Sequence, residues 1–125
     1  MIKILFSVGL GGALGSLLRY STGVWFSRHM QYSFPYATFT VNVLGCFLIG
    51  FFYAISEYYQ WFSPTWRLFF ITGFCGGLTT FSTFAYENIK LLQEGNTMLF
   101  LIYSIGSFIL ALLAVVAGIN ILKLF

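Results

Sequence analysis

The segment that decides the fold reads Gly73-Phe74-Cys75-Gly76-Gly77-Leu78-Thr79-Thr80-Phe81-Ser82-Thr83-Phe84. It lies inside a hydrophobic stretch long enough to cross a bilayer, yet it combines three glycines with four hydroxyl residues. In lipid an unpaired backbone group is costly, so an interrupted helix survives only when it is buried in protein or lines a polar cavity. The segment therefore predicts a broken transmembrane helix at the centre of a pore or binding site.

The composition places the chain in the membrane. Of its 125 residues, 59% are hydrophobic and 7% are charged, whereas soluble domains carry about 25% charged residues. The net charge is +3, but the lysines and arginines are scattered singly and form no patch for nucleic acid. Cys46 and Cys75 both lie in apolar segments, where we interpret them as small buried hydrophobic residues. We predict one all-α integral membrane domain over residues 1–125.

The gaps between charged residues predict four transmembrane helices, because about 20 residues are needed to cross a bilayer. The predicted spans are residues 4–26, 35–58, 65–92 and 98–122. The first span has a small-residue face that includes Gly11 and Gly15, which favours close helix packing. In the third span Gly76 follows Arg67 by nine residues. That spacing is about 14 Å, or half of a hydrocarbon core of about 30 Å, so the break is predicted at the membrane midplane.

Three polar residues in these spans each allow two interpretations. Asn42 lies about 10 Å inside the second span, where its amide must find a partner. That partner is either a neighbouring helix or a ligand in a pore. Arg19 either extends toward the interface from a helix end or attracts anions in a vestibule. Tyr103 either packs at the interface or forms a polar stripe with Ser107, one turn further along the same helix.

The distribution of positive charge predicts a dimer of oppositely inserted chains. Four spans place both termini on one side of the membrane, and each side then carries three lysines and arginines in total. The two sets are Lys3, Arg67, Lys123 and Arg19, Arg28, Lys90. Orientation follows the difference in Lys and Arg between the sides, so a chain without a difference can insert both ways. Two such copies can pair as an antiparallel homodimer, in which any feature at the midplane is doubled.

The chain offers no set of residues for enzyme catalysis, since His29 lies in a predicted loop and the three carboxylates lie near the membrane edges. The polar groups predicted inside the membrane are neutral amides and hydroxyls: Asn42, Thr38, Thr40, Thr79, Thr80, Ser82, Thr83, Tyr103 and Ser107. Together with the ring edges of Phe81 and Phe84, such donors suit a small hydrated anion. The ring faces suit a large organic cation equally well, so the residues alone leave both open. Carbonyl oxygens of unwound glycines, doubled by the dimer axis, could bind a bare monovalent cation.

Three motifs resemble those of the CrcB/Fluc family of fluoride channels. The first is Gly11-Gly12-Ala13-Leu14-Gly15-Ser16-Leu17-Leu18-Arg19-Tyr20. The second is Thr40-Val41-Asn42-Val43-Leu44-Gly45-Cys46-Phe47-Leu48-Ile49-Gly50. The third is the segment from Gly73 to Phe84 quoted above, and it is the most specific. The resemblance covers almost the whole chain.

The resemblance implies a dual-topology dimer with two pores for passive fluoride export from the cytoplasm, in the inner membrane of a prokaryotic cell. Asn42 would supply an amide donor, and Phe81 and Phe84 would form aromatic boxes with rings from both subunits. Further pore residues implied by the family motifs are Thr80, Ser82, Thr83, Tyr103 and Ser107. At position 111 the chain has Ala111, where some family members have a hydroxyl residue.

The resemblance also implies a structural sodium ion at the dimer interface, bound by main-chain oxygens of Gly76 and Thr79. Arg19 matches an arginine of the first family motif and is expected in a vestibule. The expected partners are fluoride, sodium, lipid and a second copy of the chain. One alternative is a small dual-topology multidrug or cation transporter, which usually needs a carboxylate in its first helix. A scaffold subunit of a larger membrane complex is another, although it would need neither Asn42 nor the hydroxyl-rich segment.

Overall fold

The computed structural model describes residues 1–31 and 33–125, and residue 32 of the predicted first loop lies outside that range. Helix α1 is Ile2–His29 and helix α2 is Tyr36–Tyr58. The helical run α3 joins the turn Pro64–Arg67, the π-helical segment Leu68–Cys75 and the turn Gly76–Leu78. Helix α4 is Ser82–Gln93, and helix α5 is Thr97–Asn120, extended by the 3₁₀ turn Ile121–Leu124. The described residues are thus all-helical, as predicted.

Four helices in the described part of the chain are long and apolar enough to cross a membrane. They are Ile2–His29, Tyr36–Tyr58, Pro64–Gln93 and Thr97–Leu124. Each matches one predicted span, and the largest difference is at the end of α1, which runs three residues further than predicted. The side chains of Ser27 and His29 hydrogen-bond to the helix carbonyls of Val24 and Trp25. Arg28 and His29 also lie in the last turn, where positive charge favours the helix.

Local sequence explains the other helix boundaries. The Ser63 hydroxyl accepts a hydrogen bond from the amide of Trp66, and Pro64 occupies the first helical position, so α3 begins there. Gly95 has φ of 80°, a conformation that glycine adopts without strain. It ends α4 in a turn in which the amide of Asn96 donates to the carbonyl of Leu91.

Glycine contacts hold α1 against α3 at a distance that no side chain permits. A Cβ on Gly77 would lie 2.5 Å from the carbonyl oxygen of Gly12, and one on Gly11 would overlap the carbonyl of Phe69. Gly11 and Gly15 are the buried residues of α1. The small-residue face predicted from these two glycines is therefore confirmed. On the other side of the molecule, α2 and α5 pack against each other extensively.

The helical backbone stops at Leu78, not at the glycines before it. Gly76 keeps helical angles, with φ −63° and ψ −37°, whereas Thr79 is extended, with φ −83° and ψ 156°. Helix resumes at Ser82. The expectation that the glycines themselves are unwound is therefore wrong. Gly73 and Gly77 pack closely against α1, which requires only the absence of a side chain and not an unwound backbone. The depth of this interruption in a bilayer stays a prediction.

Candidate functional site

Asn42 holds the backbone of the interruption. Its Nδ2 donates to the carbonyl oxygen of Thr80 at 3.0 Å, and its Oδ1 accepts from the amide of Thr80 at 2.8 Å. These two bonds replace those that a continuous helix would give Thr80. The interhelical hydrogen bond, one of the two interpretations of Asn42, is therefore present. One hydrogen of the Nδ2 group is not used by these bonds, and Asn42 also lines a cavity described below.

The interruption leaves the carbonyl oxygens of residues 76–79 without the amide donors of a continuous helix. In a continuous helix the carbonyl of residue i accepts from the amide of residue i+4. The amide of Thr80 instead donates to Asn42, and that of Thr83 donates to the Thr80 hydroxyl at 3.2 Å. The carbonyl oxygens of Gly76 and Thr79 consequently receive no backbone hydrogen bond from any described residue. The geometry frees these oxygens although Gly76 is itself helical.

Arg19 joins α1 to the same region. Its Nε donates to the carbonyl oxygen of Gly77 at 3.0 Å, and the side chain is half-buried. Arg19 therefore does not extend freely to solvent from a helix end. It lines a cavity of about 250 Å³ between α1, α2 and the interruption, together with hydroxyl residues that include Thr38, Thr80 and Thr83. The remaining guanidinium N–H groups make this a place where an anion would find donors.

A second cavity gathers five of the eight predicted pore residues. It measures about 380 Å³ and is lined by Asn42, Cys46, Thr79, Thr80, Phe81, Phe84, Ser104, Ser107, Phe108 and Ala111. The rings of Phe81 and Phe84 lie 5.9 Å apart between centroids at an angle of 43°. Phe81 is 79% exposed. The surface of this cavity is thus mostly apolar, with few polar groups converging on it.

The structure separates the remaining predicted pore residues from this cavity. Thr83 lines the Arg19 cavity, and Ser82 is exposed at the start of α4. Tyr103 is fully buried, with its ring 4.9 Å from that of Phe84. Its hydroxyl donates to Oε1 of Glu87 at 2.8 Å. Tyr103 and Ser107 differ in their hydrogen bonds: Tyr103 is engaged by a carboxyl group, while Ser107 Oγ is buried with no hydrogen-bond partner in the described structure. The polar stripe of these two residues stays a prediction.

Glu87 is the residue that the sequence interpretation placed at the membrane edge. Its second oxygen, Oε2, accepts from the hydroxyl of Thr38 at 3.0 Å. Glu87 thus joins α2, α4 and α5 and borders a polar cavity of about 480 Å³ with Lys90 and Glu94. One signal in the sequence was available: Glu87 follows Phe84 by three residues, which places both on one helix face.

The fold and these cavities define a multi-pass helical membrane protein with polar and aromatic groups gathered around an interrupted helix. Residues 6–119 match the family described as CrcB-like protein, Camphor Resistance (CrcB). The chain belongs to this family.

Several relatives named fluoride-specific ion channel FluC are similar to the chain. One from Leptospira interrogans is 48% identical over 81% of this chain and 80% of its own length. Another from Flavobacterium psychrophilum is 45% identical over 98% of both chains. A third from Acidobacterium capsulatum is 47% identical over 89% of both. Because the match with the Flavobacterium psychrophilum relative covers 98% of both chains, that similarity extends over all four apolar helices.

Proposed function

We propose that the protein is a fluoride-selective passive ion channel and not an enzyme. Membership of the family and the names of the relatives support this function. The observation that carries it is the 380 Å³ cavity, which brings Asn42, Phe81, Phe84 and Ser107 to one surface. Each of these four side chains offers a partial positive charge without a formal charge, so their positions in this cavity suit an anion path.

The proposed selectivity arises from neutral donors. A Phe ring carries partial positive charge at its edge, so the pair Phe81 and Phe84 can meet an anion edge-on. The buried Ser107 hydroxyl has a hydrogen to donate, and Asn42 keeps one amide hydrogen beyond its bonds to Thr80. These groups replace part of the water around a small anion, whereas a larger anion cannot approach them as closely.

The working unit is proposed to be an antiparallel homodimer with two pores. Phe81 is 79% exposed at the rim of the cavity, so a single chain leaves one wall of the path open. A second copy related by an axis in the membrane plane would supply the missing rings. The equal division of Lys and Arg between the two sides supports insertion in both orientations. The proposed location is the inner membrane of a prokaryotic cell.

The carbonyl oxygens of Gly76 and Thr79 fit a structural sodium ion. They lack backbone donors among the described residues, and two copies of the chain would bring four such oxygens to the interface. Neutral carbonyl oxygens suit a monovalent cation, and the described residues offer no group of three or more metal-ligating side chains. When bound, such an ion would supply positive charge at the dimer axis. The interruption is proposed to lie at the bilayer midplane.

The other predicted residues receive supporting roles. Arg19, with its guanidinium in the 250 Å³ cavity, would attract anions to a vestibule. Thr80, which bonds to Asn42 and caps α4, would hold the interruption open, and Thr83 would add a hydroxyl beside it. Ser82 would face the aqueous side. Tyr103 would fix Glu87 and Phe84 in place.

Fluoride efflux from liposomes tests the proposal. Purified protein in vesicles loaded with potassium fluoride should release fluoride when potassium current is allowed, and vesicles loaded with chloride should release almost none. Uptake of an aromatic organic cation in the same vesicles tests the multidrug transporter, which is not favoured because α1 has no carboxylate. Fluoride release no faster than chloride release would contradict the proposal. A scaffold subunit would transport neither.

A further inference from the structure

Two serines on α5 line the same cavity but differ in their hydrogen bonds. Ser104 Oγ donates to Oδ1 of Asn88 at 2.7 Å. Ser107 Oγ is buried, with the residue 8% exposed, and it has no partner among the described residues. Both residues border the 380 Å³ cavity. The difference therefore lies in Asn88, which is buried on α4 one turn beyond Phe84.

The orientation of the Asn88 amide is fixed by its other bond. Its Nδ2 donates to the carbonyl oxygen of Phe84 at 3.0 Å. A carbonyl oxygen can only accept, so the nitrogen must face Phe84 and Oδ1 must face Ser104. Because Oδ1 only accepts as well, the hydrogen in the 2.7 Å bond belongs to the Ser104 hydroxyl. A hydroxyl has one hydrogen, and Ser104 therefore presents only lone pairs to the cavity.

The same amide links the turn that carries Phe84 to α5. Asn88 is 6% exposed, so its bonds do not compete with solvent inside the described structure. The link lies beside the contact between the rings of Phe84 and Tyr103, whose centroids are 4.9 Å apart. The two contacts together fix both the backbone and the ring of Phe84 relative to α5.

We propose that Asn88 is a positioning residue for the anion path, an inference that rests on the proposed channel function. Asn88 holds Phe84 at the cavity and turns the Ser104 hydrogen away from it. Ser107 is then the serine that donates to the anion. Without Asn88, the Phe84 turn loses its link to α5, and the Ser104 hydroxyl is free to bind the anion in a second, competing place.

Single-channel recording in lipid bilayers tests this role with the single variants Asn88→Leu, Ser104→Ala, Ser107→Ala and Ser56→Ala and with the double variant at Asn88 and Ser104. Asn88→Leu has nearly the same size but neither donor nor acceptor, and Ser104→Ala removes the partner. Ser56→Ala is the matched control, since the Ser56 hydroxyl donates to Tyr53 within α2 and borders none of the cavities described above. The readouts are the unitary fluoride current, the fluoride-to-chloride permeability ratio and thermal stability in detergent.

We expect Asn88→Leu to lower the unitary fluoride current by about three- to tenfold, the effect of losing one or two neutral hydrogen bonds. The permeability ratio should fall with it. Ser104→Ala should lower the current by only about twofold, and the double variant should pass more current than Asn88→Leu, because it lacks the serine that competes for the anion. Ser56→Ala should behave as the parent protein.

Lower thermal stability with an unchanged unitary current and permeability ratio would show that Asn88 is only structural, and would overturn the proposal. If Asn88→Leu does not assemble, the current of Ser104→Ala, compared with that of Ser107→Ala, tests the proposal without it. A current lost in Ser104→Ala to the same extent as in Ser107→Ala would show that Ser104 donates to the anion, which also overturns it. The parent protein's own fluoride current, recorded in the same experiment, tests the channel function separately.

Discussion

Residues 64–78 and residues 82–93 lie on either side of one interruption, and they contact the rest of the molecule by different chemistry. The first part is apolar and packs backbone against backbone on α1, through Gly73 and Gly77. The second part contacts its neighbours through polar side chains, among them Glu87 and Asn88. The two kinds of contact differ in their tolerance to substitution. Backbone atoms in contact cannot be rearranged, whereas a side chain can form a hydrogen bond with another partner.

The contrast explains which part of the span carries hydrogen-bonding side chains near the cavity. Residues 64–78 leave no room for any side chain at the α1 contact, so these residues fix α3 against α1 there. Residues 82–93 carry hydrogen-bonding groups that reach α2 and α5, and the cavity with Phe81 and Phe84 lies between these elements. Helix packing on one side and the proposed anion contacts on the other are thus separated along a single span.

The largest effect is expected from Gly77→Ala. Its Cβ would lie 2.5 Å from the Gly12 carbonyl oxygen, a backbone atom that cannot move alone. We expect a loss of stability of about 3 kcal/mol or more, at the upper end of overpacking effects. Gly9→Ala is the matched control, because a Cβ there meets nothing within 4 Å. The yield of monodisperse protein and thermal unfolding in detergent measure both, and equal behaviour of the two variants would refute the backbone contact.

The next largest effect is expected from Asn42→Asp, and it is an effect on fluoride transport. The substitution removes the donor to the Thr80 carbonyl and adds a negative charge at the cavity. Repulsion of about 3 kcal/mol at close range corresponds to a fall in fluoride flux of about a hundredfold. The proposed dimer should persist on size-exclusion chromatography. Flux close to that of the parent protein would show that Asn42 lies away from the anion path.

Phe81→Ile should lower fluoride flux by about tenfold, since the ring edge contributes up to about 1.5 kcal/mol beyond apolar contact. Phe6→Ile is its control, on an exposed face of α1 and away from the cavity. Liposome efflux rates per folded protein give the comparison. If the control loses as much flux as Phe81→Ile, the loss reflects membrane packing and not a ring in the path.

The smallest effect is expected from Tyr103→Phe. The change removes one of the two hydrogen bonds to Glu87 and keeps the ring contact with Phe84. We expect a loss of about 1 kcal/mol in stability, as for a single side-chain hydrogen bond. Thr38→Val removes the other bond, to Oε2 of Glu87, and serves for comparison. Denaturation in detergent measures both, and no change in either would mean that Glu87 does not bind α4 to its neighbours.

The sequence was sufficient for the spans and for the glycine contact. Hydropathy and charge gaps depend on the residues alone, so the predicted helix from residue 65 to residue 92 differs from the observed Pro64–Gln93 by one residue at each end. The face with Gly11 and Gly15 was likewise readable from spacing, because only the absence of a side chain permits that approach.

The hydrogen-bond partners could not be predicted from the sequence. Whether Asn42 bonds to Thr80 or to a ligand depends on how α2 lies against the interruption, 38 residues away in the chain. The contacts of Glu87 with Tyr103 and Thr38 could not be predicted either, because these partners come from other helices. The free carbonyl of Gly76 depends on a donor four residues later, so the glycine itself gave no sign of where the helix stops.

The bond between Arg19 and the Gly77 carbonyl spans 58 residues of chain. At about 5–20 residues per second, the ribosome makes Gly77 roughly 3–12 s after Arg19. During that interval α1 must stay in the bilayer with its arginine unsatisfied, at a cost of about 2.5–3.5 kcal/mol at the membrane centre and less toward the surface. The apolar residues of α1 must therefore keep the helix inserted until Gly77 has been synthesised. This requirement is not visible in the folded structure.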